Sequence, residues 1–122
     1  MKEFNVEWYK ILILDEKISK DKLIDKVGFL WGNLIKAVVD VDKEIMAVWW
    51  ELHVDWEQIL LENGSNQSSL WWINLYLKNN KEDWIEYDSM INIRPKDNNF
   101  SRFVENEEIR QKISKIVYNL IN

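Results

Sequence analysis

The chain of 122 residues contains no cysteine, a single proline (Pro95) and a single histidine (His53). Without cysteine there are no disulfides and no thiolate metal sites, and a reducing, cytoplasmic setting is the expectation. No apolar run approaches the length needed to span a bilayer. The opening residues, Met1 to Trp8, carry acids and no long apolar run, which is not the pattern of a signal peptide. Basic residues are outnumbered 16 to 21 by acidic ones, for a net charge of −5. They are also interleaved with acids, as between Lys17 and Lys26. Phosphate-backbone binding depends on clustered Lys and Arg, so neither nucleic acid nor a membrane is expected as a partner.

What is present reads as one soluble domain, 47% hydrophobic and 30% charged, long enough to bury a core without staples. Trp8 to Leu14 is a short apolar run that suits a strand. Ser19 reads as a helix N-cap, and Leu23, Ile24, Val27, Leu30, Trp31 and Leu34 follow at helical spacing, with Gly28 and Gly32 in the same stretch. Two β-branched runs, Ile35 to Val41 and Ile45 to Trp50, read as a hairpin turning at residues 42–44. Asp55 and Gln58 form a capping-box pattern before Ile59, Leu60 and Leu61, and Asn63-Gly64 stops that short helix. Leu70 to Leu77 is another strand. Asn106, Glu107 and Glu108 open a last helix striped by Ile109, Ile113, Ile116, Val117, Leu120 and Ile121. The order is β-α-β-β-α-β-β-α. It implies an α+β fold with a mainly antiparallel sheet of four or five strands and helices on one side.

The seventh element carries the most information. From Ile85 to Arg94 the chain alternates, then meets Pro95. Ile85, Tyr87, Ser89, Ile91 and Ile93 fall on one strand face; Glu86, Asp88, Met90, Asn92 and Arg94 fall on the other. The first set is expected in the core, and the second on a solvent- or cleft-facing side.

With these segments in view, the chain resembles a small uncharacterised family of archaeal and bacterial proteins, one of the domain-of-unknown-function families. The resemblance rests on Lys36-Ala-Val-Val-Asp-Val-Asp-Lys-Glu-Ile-Met-Ala47, Glu51-Leu52-His53, Leu60-Leu-Glu-Asn-Gly-Ser65, Ile73-Asn-Leu-Tyr76 and, above all, Ile85 to Pro95. It covers about residues 35–117 and implies no activity. Three departures concern tryptophan. The chain has eight, and Trp49, Trp50 and Trp72 stand where the resembling sequences carry glycine or another small residue. One account is ordinary drift. The other is a gene in which UGA encodes glycine, translated with a table that reads it as tryptophan; the Lys-, Asn- and Ile-rich composition fits an AT-rich gene. A fourth departure is the loop Asn98-Asn99-Phe100-Ser101-Arg102, which has one arginine fewer than the family pattern.

Two functional classes follow. The first is a small binding or interaction protein, expected to self-associate, that uses a polar and aromatic sheet face and the loop after Pro95. Its candidate ligand-binding residues are Asn74, Asp88, Asn92, Arg94 and Arg102, with Arg94 and Arg102 bracketing a loop just before a helix N-terminus, where anions bind readily. The second is a hydrolase-like enzyme with Glu51, His53, Asp88 and Arg94 converging in a cleft, His53 serving as a base oriented by a carboxylate. Against each stands a plain reading: a histidine bonding backbone at a turn, and a carboxylate–guanidinium row forming surface ion pairs of little energetic consequence. No Gly-rich phosphate loop, Gly-x-Ser-x-Gly elbow or His-Glu-x-x-His motif is present. No metal and no cofactor are expected.

Overall fold

A computed structural model describes residues 2–6, 9–27, 34–49 and 55–122. In chain order the elements are β1 (Lys2–Val6), β2 (Tyr9–Leu14), α1 (Lys20–Val27), β3 (Leu34–Asp40), β4 (Ile45–Trp49), α2 (Asp55–Glu62), β5 (Leu70–Tyr76), β6 (Ile85–Glu86) and α3 (Glu107–Leu120). The strands make one six-stranded sheet in the order β1-β2-β4-β3-β5-β6, and every neighbouring pair is antiparallel. This is the α+β architecture that the hydrophobic patterning implies. The additional strand is β1, a charged, weakly patterned segment recruited by its hairpin partner β2.

Local chemistry explains the joints. At the β3–β4 turn the buried Asp40 carboxylate accepts the backbone N–H groups of Asp42 (2.9 Å) and Lys43 (3.0 Å). Its other oxygen accepts the Ser65 hydroxyl at 2.6 Å, which ties the exit of α2 to the hairpin. That exit turns at Gly64, whose φ of +96° suits glycine. The Ser19 hydroxyl accepts the N–H of Lys22, and the Asn106 side chain that of Ile109, so both caps act as their residue types suggest. Ile113, Ile116, Val117 and Leu120 of α3 are buried. Residues 28–33, with Gly28 and Gly32, lie outside the described residues.

The register divides the sheet into two unlike faces. Leu12, Leu14, Ile35, Ala37, Val39, Met46, Val48, Trp71, Ile73 and Leu75 share one face and are all buried. The second face begins the same way, with Ile11, Ile13, Ala47, Val38 and Trp72 buried. It then turns polar at one end, where Lys36, Asn74 and Glu86 lie side by side across β3, β5 and β6.

The stretch from Ile85 to Arg94 is not one strand. Only Ile85 and Glu86 pair with β5. Asp88 bridges Phe103, and Arg94 bridges Asn99. Between them Met90–Asn92 winds into a 3₁₀ turn whose first free N–H, that of Ile91, is accepted by the Ser89 hydroxyl. The expected inside and outside are consequently reversed at the end of the segment: Ile93 is 43% exposed, whereas the Arg94 side chain retains 12% exposure. The physical cause is Asn92. Its side-chain amide bonds the backbone of Trp72 and takes the place on the β5 edge that a continuing strand would have occupied.

Candidate functional site

The polar end of the second face is organised around Asn74, which is 5% exposed. Its Oδ1 accepts the Lys36 amine at 2.8 Å. Its Nδ2 donates to Glu86 Oε1 at 2.7 Å and to the carbonyl of Asp88 at 3.1 Å. Tyr76 donates its hydroxyl to the same Glu86 oxygen at 3.2 Å. Asp88 then accepts Arg102, from Nε at 2.8 Å and from a terminal nitrogen at 3.3 Å. Six residues from β3, β5, the β6 segment and the loop before α3 are thus linked, the Asp88–Arg102 pair joining the others through the Asp88 backbone carbonyl.

Burial sets the electrostatics. Desolvation pushes the Lys36 ammonium below its usual range; Glu86 and Asp88 oppose this, and Arg102 reinforces it. Burial, then the Glu86 carboxylate, holds the Tyr76 hydroxyl above its ordinary value. Beside the network runs an open groove of about 520 Å³ lined by Tyr76, Ile85, Glu86, Tyr87, Asp88 and Phe103, together with Asn79, Glu82 and Asp83. The arrangement offers an amine, a phenol and carboxylates to a polar ligand, with aromatic walls alongside. Among the described residues, no three histidine or carboxylate side chains converge to hold a metal ion.

The structure brings together Asn74, Asp88 and Arg102. It places Asn92 elsewhere: that residue is fully buried, and its amide serves Trp72 and the Arg102 carbonyl. Arg94 is likewise apart. Its guanidinium lies 4.2 Å over the Trp71 ring, donates to the Gln67 carbonyl at 2.7 Å and sits 3.4 Å from Asp97. Trp71 faces away from the side of β5 that bears Asn74. The two arginines therefore bracket the loop while engaging different partners. Glu51 and His53 lie outside the described residues; they follow Trp49, which stands directly opposite Lys36 in the β3–β4 register. Lys36 is the site residue that motif reading missed. Its signal was a lone lysine inside the apolar run Ile35 to Val39.

The loop after Pro95 has a different character. Met90, Ile93, Phe100 and Phe103 are 67%, 43%, 66% and 46% exposed. They ride on a frame fixed by Asn99, which is 2% exposed. Its Nδ2, with two hydrogens to donate, lies within hydrogen-bond distance of the carbonyls of Asn92 (2.8 Å), Ser101 (3.0 Å) and Phe103 (2.9 Å), and its Oδ1 accepts the N–H of Glu105 at 2.9 Å. Ser101 itself donates its hydroxyl to Glu105 at 2.6 Å.

A family pattern described as "Protein of unknown function (DUF5674)" matches residues 12–120. No curated protein matches the chain, and no solved structure does. No helix among the described residues is long and apolar enough to cross a membrane.

Proposed function

Because the chain belongs to DUF5674, a family of unknown function that the match over residues 12–120 establishes, we propose its role from the site: a cytoplasmic binding protein that takes a small polar ligand at the end of its sheet face. The observation that carries this reading is the Lys36–Asn74–Glu86 row. Burying polar and charged groups beside an apolar core is costly unless they are paired. Here the Lys36 amine, the Glu86 carboxylate and the Asp88 carbonyl converge on one nearly buried amide, next to a groove whose volume suits a small molecule. The absence of cysteine fits a reducing compartment.

A titration of isotope-labelled protein with small carboxylates, amino acids and hydroxy-carbonyl compounds tests the proposal. Shifts centred on Asn74, Tyr76 and Asp88, and weakened by Arg102→Ala, support it. Shifts confined to Met90, Ile93 and Phe100 would overturn it in favour of a second reading. That reading is a protein-interaction surface on the 90–103 segment, favoured by its exposed apolar side chains held on an ordered frame. A hydrolase built on Glu51, His53, Asp88 and Arg94 receives less support, since Asp88 is engaged with Arg102 and Arg94 with Trp71, Gln67 and Asp97.

A further inference from the structure

We propose that Lys36 is a reactive amine that captures a small aldehyde or ketone as an imine at the polar end of the sheet face. This inference rests on the binding reading above and names its ligand class.

The geometry sets Lys36 apart from an ordinary lysine. It sits on β3, which is flanked on both sides by β4 and β5. On its own face its neighbour along the strand, Val38, is wholly buried, and Asn74 opposite it on β5 is 5% exposed. Its amine donates to a neutral amide oxygen, that of Asn74 at 2.8 Å. Among the described residues, no carboxylate stands within ion-pair distance of it. A lysine fixed by an ion pair is locked as ammonium, whereas one held by an amide in a desolvated setting gives up its proton more readily, and only the neutral amine is a nucleophile. The downward shift of Lys36 agrees.

The rest of the network supplies what imine formation needs. The nitrogen lone pair forms the C–N bond to the carbonyl carbon, and the C=O π pair moves to oxygen. Nitrogen loses a proton and oxygen gains one, giving a carbinolamine; the hydroxyl then departs as water with a second proton, leaving C=N. The sum is amine plus carbonyl giving imine plus water, with no oxidant or reductant. Glu86 lies one amide away, its Oε1 bonded to Asn74 Nδ2 at 2.7 Å and to the Tyr76 hydroxyl at 3.2 Å. In the proposed reaction it takes and returns the protons without pairing with the amine. The Asp88–Arg102 pair borders the same network and is partly exposed, so it is available to a polar substituent of the carbonyl compound.

The test uses the full chain with glycolaldehyde and cyanoborohydride, which reduces an imine to a stable secondary amine. Peptide mapping follows each of the thirteen lysines. The expected result is modification of Lys36 ahead of the other twelve, slowed at that position alone by Glu86→Gln and lost there in Lys36→Arg. Labelling of Lys36 no faster than the exposed Lys112 and Lys115 in the same unmutated chain overturns the inference, with no variant required to fold. A parallel titration with ethylene glycol, which has no carbonyl, separates the two proposals. Shifts at Asn74 and Tyr76 without preferential trapping overturn the imine and leave the binding reading in place; neither shifts nor trapping overturns both.

Discussion

The side-chain amide of Asn92 stands in for a strand residue opposite Trp72: it accepts the Trp72 backbone N–H at 2.9 Å and donates to the Trp72 carbonyl at 2.9 Å. Both backbone groups lie on the edge of β5 where β6 has already ended, so this one side chain satisfies what would otherwise be buried, unpaired polar atoms. Replacing Asn92 with Asp keeps the shape but exchanges a donor for an acceptor facing two carbonyls, those of Trp72 and Arg102. Leaving a buried group unsatisfied costs about 1–3 kcal/mol, and more where a charge is involved. Asn92→Asp is expected to lower the urea-unfolding free energy by at least that range at neutral pH. An unchanged midpoint would mean that the edge of β5 does not depend on Asn92.

This same contact explains where sequence patterning succeeded and failed. The runs that begin at Ile35, Ile45 and Leu70 became the strands β3, β4 and β5 because their neighbours along the sheet are equally apolar. The α3 stripe became a buried helix face for the same reason. From Ile85 to Arg94 the period of two was present, yet alternation specifies only which way side chains point if the backbone stays extended. Ser89 and Asn92 carry side chains able to bond nearby backbone, and they convert the middle of that run into a 3₁₀ turn. Two of the candidate site residues, Asn92 and Arg94, consequently lie apart from the network around Asn74. Asn74, Asp88 and Arg102 do meet, because their positions follow from the β5 register and from the bridge between Asp88 and Phe103. Lys36 was overlooked because a lysine amid β-branched residues has no motif to announce it, only an incongruity.

Glu44 offers a route to a more stable chain. It closes the β3–β4 turn at φ +58°, a left-handed conformation that costs an ordinary residue about 1–2 kcal/mol. Glycine adopts it freely but loses more chain entropy on folding. Glu44→Gly is therefore expected to raise stability by about 0.5–1 kcal/mol, read as a higher melting temperature. Asn98, at φ +59°, already uses the residue type that tolerates this region, so Asn98→Gly should change little and Asn98→Ala should destabilise by about 1 kcal/mol. A lower melting temperature for Glu44→Gly would show that the glutamate contributes something the turn geometry does not reveal.

Alkaline pH should unfold the chain through its tyrosines. Burial is the largest cause raising Tyr76, Tyr87 and Tyr118 above the ordinary value of 10.0. Below pH 10.0 both folded and unfolded forms of these groups are protonated, and their contribution to stability is complete. Above it the unfolded chain ionises first, binds fewer protons than the folded one, and gains in relative stability. Lys36 acts with the opposite sign: its folded value lies below 10.5, so between the two values stability rises with pH. With three tyrosines against one lysine, the melting temperature is expected to fall above about pH 10. Tyr87→Phe should shallow that fall, and Lys36→Gln should remove the smaller rise preceding it. A profile flat to about pH 12 would contradict the burial of these hydroxyls.

The last prediction concerns the gene. Trp49 stands opposite Lys36 across β3 and β4. Trp72 stands opposite Val38, one step further along the same face, and is 2% exposed. Two of the three positions where the resembling sequences carry small residues thus border the proposed amine site; Trp50 lies outside the described residues. Small residues at such places let a backbone or ligand approach closely, and tryptophan carries the largest of the side chains. If the codons are TGA and the source organism reads TGA as glycine, the face beside Lys36 and Asn74 carries no side chain at 49 and 72 and the site is wider. We expect TGA at 49, 50 and 72. The protein from its own host should then be lighter at each of these positions, by the difference between tryptophan and glycine. A variant with all three tryptophans replaced by glycine should also keep its stability, whereas emptying a genuine tryptophan site costs about 3–5 kcal/mol. TGG at all three positions, or a triple variant that no longer folds, would establish the tryptophans as native.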